Sequence, residues 1–255
     1  MNDKQRYRLQ QINGILDERA FIAIRELTEV LQVSEMTIRR DFGQYGPAEN
    51  LSLVNGVILR NPGGEDAYEL SVAGSRRGNE KEAIGRLAAG MIRPGDVIAL
   101  DIGSTTEQIA RHLTAEMDVT VLCYSYNILS RLRHNQLSKI IFGGGVFHED
   151  LQTFVSEEAV RLIRKYRINK AFISAAGVSG SLGITCASTY EVALKRAVIE
   201  SAAQRILVFD SSKHDQVKPA YFADLEQFQT IITDSQISEE AELCYKEKNI
   251  SILKA

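Results

Sequence analysis

The chain has 255 residues, 44% hydrophobic and 25% charged, with a net charge of -3. That length favours two domains able to bury real cores, and the slightly acidic balance argues against a generic polybasic nucleic-acid binder. No apolar run approaches a membrane span, the N-terminus lacks the order of a secretory leader, and Cys123, Cys186 and Cys244 form neither a zinc pattern nor a disulfide framework, so a reducing cytoplasm is expected, without metal or cofactor.

In chain order, residues 4–18 carry Leu9, Ile12, Ile15 and Leu16 at helical spacing. Residues 24–31 predict a second helix with Leu27, Val30 and Leu31 inward, and Gln32-Val33 makes a turn. Ser34 then suits an N-cap, and Glu35 suits the positive end of the helix that follows. Ile38 and Phe42 share its inner face, while Thr37, Arg40 and Gln44 form an outward stripe. A polar stripe with an arginine, anchored from behind, suits a major groove; a surface helix with a solvated arginine pair is the other reading. Pro47 ends the pattern, and the β-rich residues 51–59 around Asn55-Gly56 predict a hairpin. Three helices and a hairpin make a winged helix-turn-helix, expected over residues 1–57.

This head resembles the DeoR family of bacterial sugar-responsive repressors through Val33, Ser34, Thr37, Ile38, Arg39, Arg40 and Asp41. The resemblance implies binding to double-stranded operator DNA, with Arg25, Ser34, Thr37, Arg39, Arg40 and Gln44 as candidate contacts. Two departures stand out. Gln32 occupies a turn position where the family often has glycine, and the wing reads Leu53-Val54-Asn55-Gly56-Val57 without the usual arginine. Up to Gln44, seven basic residues face seven acidic ones, so the head is neutral and a homo-oligomer that doubles it is expected.

Asn61-Pro62-Gly63-Gly64-Glu65-Asp66 reads as a linker, continued by a connector, together 58–77. From there to residue 255, β-rich runs at 97–100, 119–122, 139–142, 171–174, 206–209 and 230–233 alternate with helical patterns. The fold class is α/β, a mostly parallel sheet covered on both faces, with ligands bound outside the carboxyl ends of its strands. After the first run, Asp101-Ile102-Gly103-Ser104-Thr105-Thr106 offers backbone N–H groups, hydroxyls and a helix N-terminus to a phosphate, or simply a helix cap. Tyr124, Ser125 and Asn127 follow the second run, Gly144 the third and Gly177 the fourth. Lys195 sits four residues after Glu191, for which a capping role suffices; Lys213, in Asp210-Ser211-Ser212-Lys213, reads equally as a phosphate cation or a solvated loop lysine.

This half resembles the DeoR sensor domain, related in fold to ribose phosphate isomerases, through Asp101-x-Gly103-Ser104-Thr105-Thr106, Gly143 to Gly145, Gly183-x-Thr185 and Asp210-Ser211-Ser212-Lys213. Cys123-Tyr124-Ser125-x-Asn127 and Ser174-Ala175-Ala176-Gly177-Val178 look like the members that control deoxyribonucleoside operons. The resemblance implies a phosphorylated sugar as effector, deoxyribose-5-phosphate, held by Asp101, Gly103 to Thr106, Tyr124, Ser125, Asn127, Gly144, Gly177, Lys195 and Lys213. In this reading Asp101 accepts hydrogen bonds from sugar hydroxyls. The alternatives are a member answering to another sugar phosphate, or an isomerase with an added head. Residues 175–183 contain no Asp or Glu to act as an isomerase base, which favours a sensor without catalytic residues.

Overall fold

The structure, a computed structural model, describes residues 3–19, 21–45, 51–54, 56–60, 77–137 and 139–255. Asn55 and the expected linker over 61–76 lie outside the described residues, as do the side chains of residues 3, 18, 44, 45, 52, 54, 59 and 60.

The head contains α1 (Asp3–Glu18), β1 (Phe21–Ala23), α2 (Ile24–Leu31), α3 (Glu35–Tyr45), β2 (Leu51–Val54) and β3 (Val57–Arg60). Leu9, Ile12, Leu16, Ile24, Leu27, Ile38 and Phe42 close one core with Leu51 and Ile58 of the wing. The hairpin pairs Val54 with Val57 across a two-residue turn, and β3 runs on to Arg60. Strand β1 has no counterpart in the sequence reading; three residues are too few to show a period. It pairs Ile22 with Ile58 and makes the wing a three-stranded sheet, while Ile24 N–H donates to Gly56 O at 2.8 Å.

One inward assignment is corrected: Val30 is 53% exposed. In an eight-residue helix whose buried residues are Ile24 and Leu27, the inner stripe continues at Leu31, and Val30 falls beside it. Asp41 turns inward, 4% exposed, and accepts from Arg8 Nε at 2.8 Å and Gln5 Nε2 at 3.0 Å. Gln32 is left-handed, with φ 51° and ψ 42°, and its side chain donates to Glu29 O at 2.7 Å. A left-handed residue with a Cβ carries a cost of roughly 1 kcal/mol.

The second domain follows as α4 (Gly78–Ala89), β4 (Val97–Leu100), α5 (Ser104–Arg111), β5 (Thr120–Cys123), α6 (Tyr126–His134), β6 (Ile140–Phe142), β7 (Val146–His148), β8 (Thr153–Val155), α7 (Glu157–Arg164), β9 (Ile168–Ser174), β10 (Gly177–Ser179), β11 (Gly183–Cys186), α8 (Thr189–Ser201), β12 (Ala202–Val208), β13 (Ala220–Ala223), β14 (Thr230–Thr233), α9 (Glu239–Glu247) and β15 (Ser251–Lys254). Seven strands form one parallel sheet in the order β15-β14-β12-β9-β4-β5-β6. Its residues alternate between two cores: Ala99, Leu122, Ile173 and Leu207 face α7, α8 and α9, while Ile98, Val121, Phe172 and Ile206 face α4, α5 and α6. Helix α4 lies close on α5 because residue 85 is glycine; a Cβ there would stand 2.4 Å from Gln108 Cβ.

The sequence did not signal β15, the β7–β8 hairpin or the small antiparallel sheet β10-β11-β13. The chain steps from β4 outward to β6 and returns to β9 on the other side of β4. The strand order therefore reverses between β4 and β9, the place where open parallel sheets open a crevice.

Replacing Gln32 with glycine should stabilise the head by about 0.5–1 kcal/mol, since the backbone penalty removed exceeds the worth of an exposed bond to Glu29 O. Chemical denaturation of wild type and Gln32→Gly checks this; a lower midpoint would mean that the bond to Glu29 outweighs the strain.

Candidate functional site

On the head, Ser34 caps α3, with its hydroxyl 3.3 Å from Thr37 N and 3.0 Å from Thr37 Oγ1. Arg39 pairs with Glu35 at 2.7 Å, the neutralisation that an i,i+4 spacing invites. Arg25 and Arg40 are exposed, and neither has an ion pair among the described residues. The side chain of Gln44 lies outside the described residues. Met36, 76% exposed on α3, went unnoticed in the sequence; an apolar side chain there could meet a thymine methyl.

In the second domain the carboxyl ends of β4, β9 and β12 surround one cleft. Its floor is polar and fully buried. Asp101, at the end of β4, accepts from Tyr124 OH, from Lys195 Nζ and from Ser174 N–H at 3.0 Å. The Ser174 hydroxyl divides its proton between Asp101 Oδ2 and Ile102 O. Lys195, inward on α8, spends its remaining donors on Ser174 O at 3.1 Å and Glu191 Oε2 at 3.4 Å. Glu191 also closes the capping box with Ser188.

These contacts set the charge states. Burial works against the Lys195 ammonium, but Asp101 and Glu191 outweigh it and hold its pKa above the ordinary lysine range. Burial pushes Glu191 up, against the pull of Lys195. Burial, with Asp101 beside it, keeps the Tyr124 hydroxyl protonated as a donor. Cys186 is likewise raised by burial, then by Glu191.

The walls are a different chemistry. Gly103, Ser104 and Thr105 bring the N-terminus of α5, whose N-cap Gly103 supplies no side-chain cap bond. Lys213 enters from the turn after β12, and no ion pair holds it among the described residues. Lys81 enters from α4, buried and 4.0 Å from Asp210. Ile102, Leu151, Ala175, Ala176 and Ala187 add apolar or backbone surface.

Of the expected effector residues, Gly103, Ser104, Thr105, Lys195 and Lys213 line this cleft. Asp101 does so only from beneath: its oxygens are taken by protein donors, so the expectation that it receives sugar hydroxyls is revised to an anchoring role. Tyr124 is that anchor's partner, and Thr106 is buried, its hydroxyl donating to Gly103 O at 3.0 Å. Ser125 stands at the N-cap position of α6 but makes no side-chain cap bond, and its buried hydroxyl has no partner among the described residues. Asn127 donates to Glu107 at 3.1 Å, its side-chain oxygen likewise unpartnered. Gly144 is exposed beyond β6, and Gly177 is buried in β10. Gly103 has φ 139°, and a Cβ would come 2.8 Å from Ser174 Oγ, so any side chain there disturbs the floor as well as the wall. Sequence reasoning missed Lys81, one of several charged residues on α4, and Leu151, in a turn between β7 and β8.

Lys195→Met should cost about 3–5 kcal/mol at neutral pH, because it leaves Asp101 and Glu191 buried without their cation. As the folded pKa of Lys195 lies above the unfolded one, its contribution is full below roughly pH 10 and is lost as pH rises through the folded value. Urea denaturation of both proteins at pH 7 tests the first statement and a series from pH 9 to 11 the onset of the second, a gap between them that begins to narrow above about pH 10; an unchanged midpoint at pH 7 would contradict the role given to Lys195.

Two family profiles match the chain: the DeoR-like helix-turn-helix domain at residues 8–67 and the DeoR C terminal sensor domain at residues 76–235. The chain is 35% identical over 251 residues to the uncharacterized HTH-type transcriptional regulator YgbI of Escherichia coli strain K12, covering 97% of each. It is 31% identical over 234 residues to the deoxyribose operon repressor of the same organism, covering 92% of each. Among solved structures, ribose 5-phosphate isomerase A of Methanocaldococcus jannaschii is similar with a TM-score of 0.40 at 17% identity, over 52% of this chain and 53% of that one; nothing about activity follows from so distant a likeness. With a helix-turn-helix head and an α/β domain in the order that the two profiles require, the chain belongs to the DeoR family of transcriptional repressors, a DNA-binding head joined to a C-terminal sensor domain.

Proposed function

We propose that a small phosphorylated sugar in the cleft sets the affinity of the head for operator DNA, and that this sugar is deoxyribose-5-phosphate, placing deoxyribonucleoside catabolism under the repressor's control. The division of labour is a head expected over residues 1–57 whose last strand runs on to Arg60, a linker from there to residue 77 and a sensor over 78–255, acting in the cytoplasm as a homo-oligomer. The observation that carries the reading is the meeting of an uncapped helix N-terminus with Lys81 and Lys213 in one cleft. Orphaned N–H groups, the helix dipole and two cations converge there, which suits a phosphate. Lys195 has no donor left for it, so it supports the floor rather than the ligand.

Two further observations support the finer reading. The apolar wall of Ile102, Leu151, Ala175 and Ala187 suits a sugar lacking one hydroxyl, and the deoxyribose operon repressor is among the relatives. Catalysis is disfavoured because the nearby carboxylates are engaged: Asp101 by its donors, Glu191 by Lys195 and Ser188, Asp210 by Ser212. A mobile carboxylate base, which isomerisation needs, has no candidate among these three.

Calorimetry tests the cleft. Deoxyribose-5-phosphate should bind, unphosphorylated deoxyribose should not, and ribose-5-phosphate should bind more weakly by on the order of tenfold to a hundredfold. Ser104→Ala should weaken the phosphate ligand by about 1.5–3 kcal/mol, and Lys213→Met by a similar amount. Equal affinity for the free sugar, or unchanged binding in both variants, would sink the proposal.

Arg40 tests the head. Arg40→Ala should weaken operator binding by about 1–3 kcal/mol and leave calorimetric sugar binding as it was. The check is a gel-shift titration at one fixed salt concentration, where an unaltered dissociation constant removes Arg40 from the interface.

A further inference from the structure

Arg77 follows directly on the stretch that separates head from sensor, and it is fastened to the loop that carries Lys213. Its backbone is left-handed, φ 52° and ψ 48°, at the N-terminus of α4. A residue with a Cβ holds that conformation only where its surroundings impose it. Here the guanidinium supplies the hold. Its Nη1 donates to Ser211 Oγ and to Gln236 Oε1, each at 3.1 Å, and its Nε lies 3.9 Å from Asp210 Oδ1. The surface it grips is itself braced: Asp234 accepts from Ser211 N–H at 2.6 Å and from Gln236 N–H at 3.0 Å, and Gln236 donates to Glu80 at 3.2 Å.

The other oxygen of Asp210 faces Lys81 Nζ at 4.0 Å. One buried carboxylate thus stands between two cations, each at the outer limit of an ion pair. Lys81 belongs to the cleft wall and Arg77 to the start of the sensor.

We propose that Arg77 is the residue through which the cleft and the DNA-binding head communicate, by competing with Lys81 for Asp210. The inference rests on the cleft holding a phosphate, as proposed above. A phosphate draws Lys81 toward itself and releases Asp210 to Arg77, which tightens the hold on the end of the inter-domain stretch. Conversely, a head that pulls Arg77 away leaves Asp210 to Lys81 and makes that lysine less available to the ligand. The two events oppose each other through one shared carboxylate, as reciprocal linkage requires.

The test uses the full chain, a duplex selected on it from a random pool, and deoxyribose-5-phosphate. The measured quantity is the ratio of the DNA dissociation constants with and without saturating sugar phosphate. Arg77→Gly removes the guanidinium but accepts the left-handed backbone, so the fold should survive. The wild-type ratio should lie in the range of roughly 5–150, and in Arg77→Gly it should fall to within about twofold of one, with the affinity for DNA alone kept within about threefold and the affinity for the sugar phosphate alone lowered by no more than the wild-type ratio, because Lys81 then stays with Asp210. Arg77→Lys, which keeps the charge but not the planar two-donor grip, should fall between. A wild-type ratio in Arg77→Gly would overturn the proposal. So would a lost ratio that comes with a fall in the melting temperature of the ligand-free protein or with a sugar-phosphate affinity lowered beyond the wild-type ratio. If calorimetry finds no binding of the sugar phosphate to wild type, the cleft reading itself fails, and the coupling falls with it.

Discussion

The Asp101 carboxylate ties four elements of the sensor to one point: its own strand β4, Tyr124 after β5, Ser174 at the end of β9 and Lys195 from α8. A charge removed this far from water is tolerable only when its oxygens are filled and its sign is matched. Both conditions hold, and the consequence is geometric. The ends of β4 and β9, which part where the strand order reverses, are pinned a fixed distance apart. Protein contacts alone fix the strand ends that frame the crevice, which lowers the ordering a ligand must impose.

The same arrangement separates two kinds of charge. Beneath the cleft, Asp101, Glu191 and Lys195 satisfy one another. Around it, the N-terminus of α5 and Lys213 face the cleft without internal partners among the described residues, and Lys81 answers to Asp210. Engaged carboxylates beside Lys213 and a helix N-terminus suit an anion better than proton transfer, in keeping with the function proposed above. This physical contrast supports a sensor independently of any relative's name.

The head works with few charges. Of the seven cations up to Gln44, Arg8 is spent on Asp41, Arg19 on Glu26 and Arg39 on Glu35. Lys4, Arg6, Arg25 and Arg40 are exposed and without an ion pair among the described residues. Each phosphate or base contact contributes separately to affinity, so one such head has little to spend and a pair has twice as much. The inward turn of Asp41 also explains an acidic residue in a DNA-facing helix: it fastens α3 to α1 and presents no charge to the groove.

Much of this was legible in the residues themselves. Helical spacing showed α1 and α3, the Ser34 cap placed the recognition helix, and the alternation of β-rich and helical runs declared a parallel sheet covered on both faces. Local patterns suffice for these because capping and amphipathic burial are settled within a turn or two of chain. The glycine and hydroxyl run from Gly103 to Thr105 was visible as a strand-to-helix turn for the same reason, and it lines the cleft. What the sequence could not show was strand order, and with it everything made by distant residues meeting. Residues 101 and 195 are 94 apart, so the pairing of Asp101 with Lys195 is invisible to any window. That pairing turned an expected ligand contact into an anchor. Lys81 gave no signal, since a lysine on a helix reads as solvated until tertiary packing buries it beside Asp210. Tyr124, Thr106 and Gly177 were assigned to the right strand ends but turn into the core, because a loop's position along the chain fixes which edge it occupies and only packing decides which way its side chains face.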